Sequence, residues 1–181
     1  MNFFRRSAHT RLVLAGAALL ALIGGATAVR AQDRPRQSTL TAIMTPLNQV
    51  PAVLAPGRGT FIAHINADGT ISFTLAYSNM TSAVTQAHIH FGAIGTNGGV
   101  MVFLCGGPKP ACPASGEITG TLSPADVSVL PASNSDSVIP QGIRPSDLDA
   151  MVRAIRSGNA YVNVHTANFP KGEIRGQVEV Y

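Results

Sequence analysis

Apolar positions along the chain recur mainly at every second residue, in short runs broken by turns. Ile71, Phe73, Leu75 and Tyr77 alternate with Ser72, Thr74, Ala76 and Ser78. Successive side chains of a strand leave opposite faces, so this run predicts a sheet element with one face against a core. Gly59 to Ile65 alternates in the same way, with Phe61, Ala63 and Ile65 on one face. Asn66-Ala67-Asp68-Gly69 between the two runs ends in Asp-Gly, which predicts a hairpin. Thr85 to Phe91 puts Ala87, Ile89 and Phe91 on the buried side and His88 and His90 on the other. Val100 to Leu104 is apolar throughout, the signature of a strand covered on both faces. Thr39 to Met44, Gly116 to Leu122, Tyr161 to Thr166 and Ile174 to Val180 complete the predicted strands. Asn48 to Val53 is extended, because proline pushes its predecessor out of helical geometry, and residues 131–145 form a loop.

A single segment has a helical period. Leu148, Met151, Val152 and Ile155 recur at helical spacing after Ser146, read as the cap. Asp147 and Asp149 occupy the first turn, Arg153 and Arg156 the last, and Gly158 stops the helix. Many short strands with one short helix before the last two predict an all-β, antiparallel sandwich or barrel. The 18 glycines and 12 prolines among 181 residues favour the same turn-rich architecture, and no repeat or second domain is visible.

Charge removes one class of function. The formal net charge is +4, but Arg5, Arg6, Arg11 and Arg30 all lie in the first 31 residues. From Gln32 onward there are nine basic and nine acidic residues, a net of zero, so no field gathers phosphates and nucleic acid is not an expected partner. The arginines instead begin an address. Behind them Leu12 to Ile23 is apolar, too short to span a bilayer core of about 30 Å as a mature helix. Small residues follow, which predicts a signal peptide over 1–31 cleaved after Ala31, with Ala28 as the alternative site. A retained anchor is the competing reading. Arg5-Arg6 lacks the apolar residues that normally follow a twin-arginine signal, so the export route stays open. The mature chain is then a loose lead-in, 32–38, and one domain, 39–181, periplasmic or secreted, with no transmembrane span after signal removal.

Only two cysteines occur, Cys105 and Cys112, with Gly106-Gly107-Pro108-Lys109-Pro110-Ala111 between them. An oxidising compartment lets them pair and staple the base of a tight loop. The alternative, a pair of metal thiolates, fits poorly, since the gap exceeds the usual zinc-knuckle spacing and no histidine lies nearby in sequence.

The histidines carry the chemical question. His88 and His90 project from one face of their strand. In Tyr161-Val162-Asn163-Val164-His165-Thr166 the valines mark the buried side, so His165 shares the polar face with Asn163 and Tyr161. If the two strands are neighbours, three imidazoles converge, a donor set suited to copper or zinc with a position left open. The competing reading makes the rings struts that hydrogen-bond loop carbonyls. His64 lies opposite Phe61, Ala63 and Ile65 with no other ligand near it. No hydrolytic constellation is present: there is no Gly-x-Ser-x-Gly elbow and no His-Glu-x-x-His. Gly95-Thr96-Asn97-Gly98-Gly99 lacks the lysine and the helix of a phosphate loop and reads as a turn. Glu173 and Arg175 share a strand face and read as a surface pair.

Four motifs, Val50-Pro51-Ala52-Val53, Ala87-His88-Ile89-His90-Phe91-Gly92, Gly158 to Thr166 and Pro170 to Gln177, together resemble the chordin (CHRD) domain family, in order and spacing, from about Leu40 to Tyr181. The resemblance implies an immunoglobulin-like, Greek-key antiparallel β-sandwich, exported, without established enzyme activity. Its motifs contain His88, His90 and His165 together. Gln49 departs from the acidic residue usual in that family. A fainter similarity to copper/zinc superoxide dismutase lacks that family's further zinc ligands. The resulting expectation is an exported metal-binding protein, copper first and zinc second, for sequestration or delivery. Its ligands would be His88, His90 and His165, with Asn163 and Tyr161 behind them. The alternative is a non-catalytic module that binds a protein or a cell-surface polymer, and a copper redox enzyme stands third.

Overall fold

A computed structural model of the chain describes residues 38–114 and 116–181. The predicted signal peptide and nearly all of the lead-in lie outside the described residues. Strands β1 (Ser38–Met44), β2 (Arg58–Ile65) and β3 (Ile71–Ser78) form an antiparallel meander. β4 (Val84–Phe91) and β5 (Val100–Cys105) start a second sheet, and β6 (Gly116–Leu122) returns to the first beside β3. After helix α1 (Leu148–Arg156), β7 (Ala160–Thr166) pairs with β4 and β8 (Ile174–Gln177) with β7. β9 (Glu179–Val180) crosses back to β1. The sheet orders are β6-β3-β2-β1-β9 and β5-β4-β7-β8, an antiparallel sandwich, one of the two architectures that alternation predicts and the one that the family resemblance implies.

The closing run Ile174 to Val180 is therefore two strands, not one. Val178 is buried and its N–H donates to Ala160 O at 2.8 Å, while the residues on either side join different sheets. Helix α1 consequently precedes three strands. Its cap is Asp147 rather than Ser146. The Asp147 carboxylate accepts Ala150 N–H at 2.8 Å, and Ser146 takes a positive φ of 63° just before it.

The core follows from parity. In β2 every second residue is buried, and Phe61, Ala63 and Ile65 meet Phe73 and Leu75 of β3 from the facing register. Phe61 and Phe73 stack with centroids 6.2 Å apart. Ala87, Ile89, Val102, Val162 and Val164 close the core from the other sheet, and α1 lays Met151 and Ile155 onto it. Burial of such side chains stabilises by about 1.5–3 kcal/mol each, the main force holding the sheets together.

The second sheet is covered on both sides. In β4, Ala87, His88, Ile89 and His90 are all buried, and every residue of β7 is buried. The face opposite the core, expected to be polar and outward, lies beneath loops. At one corner Thr45 and Arg175 exchange backbone hydrogen bonds of 3.0 and 3.1 Å, joining the end of β1 to β8. From that corner a short 3₁₀ turn, Pro46–Asn48, delivers Gln49 to Val53 over the second sheet.

Candidate functional site

The β4–β7 register sets Gln86 beside His165, His88 beside Asn163, and His90 beside Tyr161. Cross-strand neighbours in this alternation share a face, so the six side chains form one patch. All six line a cleft of about 680 Å³, walled by the Gln49–Val53 segment, the 97–98 and 135–136 loops and the 168–172 loop. At its floor one nitrogen from each of His88, His90 and His165 lies within 4.8 Å of the others. The three rings sequence parity assigned to one face are thus brought together. His64 stays on the far sheet, its Nδ1 3.4 Å from Thr39 Oγ1.

Two rings are held by main chain. His90 Nδ1 lies 2.9 Å from Gly98 O and His165 Nδ1 3.0 Å from Pro170 O. A carbonyl only accepts, so both Nδ1 atoms carry the proton and both Nε2 atoms present a lone pair. Neither Nε2 has a partner, and neither nitrogen of His88 has one. His88 is seated instead against the Phe103 ring, edge to face, at 4.4 Å. An unpartnered buried polar atom costs about 1–3 kcal/mol. Among the described residues every such side-chain atom lies on these three rings. The strut reading thus holds at Nδ1 of His90 and of His165, while Nε2 of each keeps a lone pair without a partner.

Burial keeps the donors unprotonated. It pushes His88 down to about 2, with His90 and His165 adding repulsion. It pushes His90 down to about 3 against the opposing pull of the Gly98 carbonyl. His165 is also lowered, burial again outweighing its own carbonyl bond. At neutral pH all three rings are neutral, the form that binds metal ions.

The surroundings hold residues that sequence reading missed. Gln49 donates from Nε2 to Asn163 Oδ1 at 2.7 Å, a buried bond that pins the crossing segment to β7. Gly172, at φ 116°, presses its backbone on that pair, so a Cβ there would meet both amides. Behind His90, Tyr161 stacks in parallel at 4.7 Å, and the Arg175 guanidinium lies 3.5 Å over the far face of the Tyr161 ring. Arg175 donates to Asn97 Oδ1 at 3.1 Å and to Thr96 O at 2.6 Å, fixing the loop that supplies the Gly98 carbonyl. Gly98 admits no side chain, because a Cβ would collide with Phe91 O.

Glu173 and Arg175 are not a surface pair. Both are buried, and they bond in opposite directions. Glu173 accepts from Thr81 N, Thr81 Oγ1 and Thr166 Oγ1 at 3.0, 2.7 and 2.7 Å. The sequence hint for Arg175 was its place in the closing motif; the carbonyls of Gly98 and Pro170 have no side-chain signature at all. Cys105 and Cys112 form the expected disulfide at the end of β5, and the Lys109 ammonium in its loop pairs with Asp126.

Three neutral imidazoles with free lone pairs, gathered in one cleft, could hold a metal ion. No helix among the described residues is long and apolar enough to cross a membrane. Neither a curated protein nor a solved structure matches the chain. The CHRD domain model matches residues 40–178, a span that holds eight strands, the helix, the walls of the cleft and all three histidines. On that match the chain belongs to the CHRD domain family.

Proposed function

We propose that the chain is an exported copper-binding protein that holds the ion for sequestration or delivery. His88, His90 and His165 would be its ligands. Copper stands above zinc for nitrogen donors in the general order of divalent-metal affinities, and zinc is the alternative occupant. The observation that carries the reading is the set of unpartnered, buried imidazole nitrogens gathered within one ligand sphere. Asn163 and Tyr161 support the ligands by packing: Asn163 through Gln49, Tyr161 through its stack on His90. Bound copper would supply Lewis acidity, and the protein's own part is to keep three rings neutral, oriented and shielded. Export is supported by the CHRD family match and by the Cys105–Cys112 disulfide.

The test is titration of the protein, recovered from the periplasm or the medium, with copper and zinc salts by calorimetry. One copper per chain is expected, and His88→Ala with His165→Ala together should weaken uptake by about 100-fold or more. No uptake, or equal uptake by the double variant, removes the metal reading. Recovery from the cytoplasm alone removes the export half.

A further inference from the structure

The geometry points to a site that prefers copper in its monovalent over its divalent state, because its donors are neutral and the buried charge stacked behind His90, that of Arg175, is positive. This rests on the copper-binding reading above and adds an oxidation state and its determinant to it.

The cost of taking an ion out of water grows steeply with its charge, so anionic ligands favour a buried divalent ion over a monovalent one. None is enlisted here. Among the described residues the ligand cluster consists of three histidines with no carboxylate or thiolate. Apolar groups form part of its walls, the Phe103 ring against His88 and Pro51, Val53 and Phe169 along the cleft, and the amides among them, Gln49, Gln86 and Asn163, carry no charge. Two charged side chains face the cleft, Asp136 and Lys171. They are opposite in sign and both exposed, so water weakens them, though Asp136 lies near enough to act on His165.

The third charge is different. Arg175 is 2% exposed and forms the end of a column, guanidinium on Tyr161 and Tyr161 on His90. Its hydrogen bonds run to two neutral acceptors, Asn97 Oδ1 and Thr96 O. Glu173, two residues away in sequence, is turned to Thr81 and Thr166. A fixed positive charge in a low-dielectric column repels a divalent ion twice as strongly as a monovalent one. Ligand neutrality, apolar walls and Arg175 therefore act in the same direction.

Asn163 provides the test. It stands opposite His88 in the register, is 5% exposed and lines the cleft. Asn163→Asp keeps the oxygen that accepts from Gln49 and adds a negative charge beside the rings. The affinities for Cu(I), by anaerobic competition with bathocuproine disulfonate, and for Cu(II), by competition with glycine, are measured for the intact protein and this variant. The intact protein should bind Cu(I) at least tenfold more tightly than Cu(II). Asn163→Asp should cut that ratio tenfold or more, a fall of about 59 mV in the one-electron potential. Arg175→Gln, which removes the charge but retains donors, should shift the ratio the same way if Asn163→Asp does not fold. Cu(II) bound as tightly as Cu(I) by the intact protein overturns this inference and leaves copper binding standing, as does an unchanged ratio in the folded variants. Uptake of neither ion overturns both.

Discussion

At the scale of single residues, the site is governed by which polar atoms are satisfied. Glu173 shows a buried carboxylate that is fully engaged: three donors, from Thr81 and Thr166, surround an ion with no exposure. Charge-assisted bonds of this kind contribute about 1.5–3 kcal/mol each, and they tie the turn after β3 to β7 and β8. Glu173→Gln is nearly isosteric but replaces one acceptor oxygen with a donor that faces other donors. It should destabilise the protein by about 2 kcal/mol, read as a lowered urea midpoint with unchanged slope. An unchanged midpoint would show that the threonines do not depend on the carboxylate. The histidines are the opposite case, since their unmatched nitrogens are a cost that packing alone has no reason to keep. That the three histidines meet depends on the pairing of β4 with β7, but parity along the strands already placed each of His88, His90 and His165 on its strand's off-core face, because strand geometry is local. It gave no hint of Gly98 O or Pro170 O, since a main-chain acceptor is presented by a loop's path and not by a residue type.

At the scale of elements, two devices hold the second sheet. The first is the crossing segment Pro46–Val53, anchored by Gln49 on Asn163 and by Asn97 Nδ2 donating to Val50 O at 3.1 Å. It turns what alternation marks as an outward polar face into an enclosed one. The second is the disulfide loop after β5, the strand that also seats Phe103 against His88. Closing a ring this short restricts the unfolded chain by about 2.5 kcal/mol in the chain-entropy model. Replacing Cys105 and Cys112 together by serine should lower stability by about that amount. Because Cys105 is buried on β5, the hydroxyl left there adds to the loss. Equal thermal midpoints for the oxidised protein and the variant would show that the loop is held by the Lys109–Asp126 pair and its neighbours instead. The division of the closing run at Val178 belongs to this scale too. Ile174 to Val180 has one continuous strand pattern, yet its first part pairs with β7 of one sheet and its end with β1 of the other.

For the whole molecule, the neutral histidines couple stability to pH. An unfolded histidine has a pKa of about 6.5, whereas His88 and His90 are held down to about 2 and 3 in the fold. Above pH 6.5 both states are neutral at these rings and nothing changes. Below it the unfolded chain takes up protons that the folded chain refuses, so stability falls as pH falls. The slope is about 1.4 kcal/mol per pH unit for each such ring, persisting down toward pH 3. Urea unfolding at pH 7, 6, 5 and 4 should show a steepening loss below pH 6, reduced by one ring's share in His88→Phe. A flat profile would mean that the rings charge inside the fold, against the burial described here. The same refusal of protons keeps the donors ready for a metal ion across the neutral range.

Sequence alone determined the alternating strands, their inward residues, an antiparallel sandwich or barrel, the cysteine pair and the off-core face of each of three histidines. All of these follow from period-two geometry, turn residues or short separations along the chain. Tertiary structure alone decided that β4 and β7 bring these faces together beneath loops, that Nδ1 of His90 and of His165 is spent on loop carbonyls while Nε2 stays free, and that Arg175 is a buried charge and not half of a surface pair. Those outcomes depend on which loops cross which sheet, with Gln49 and Asn163 meeting across 114 residues. Contacts so distant are set by the packing of the whole sandwich, and no local pattern encodes them.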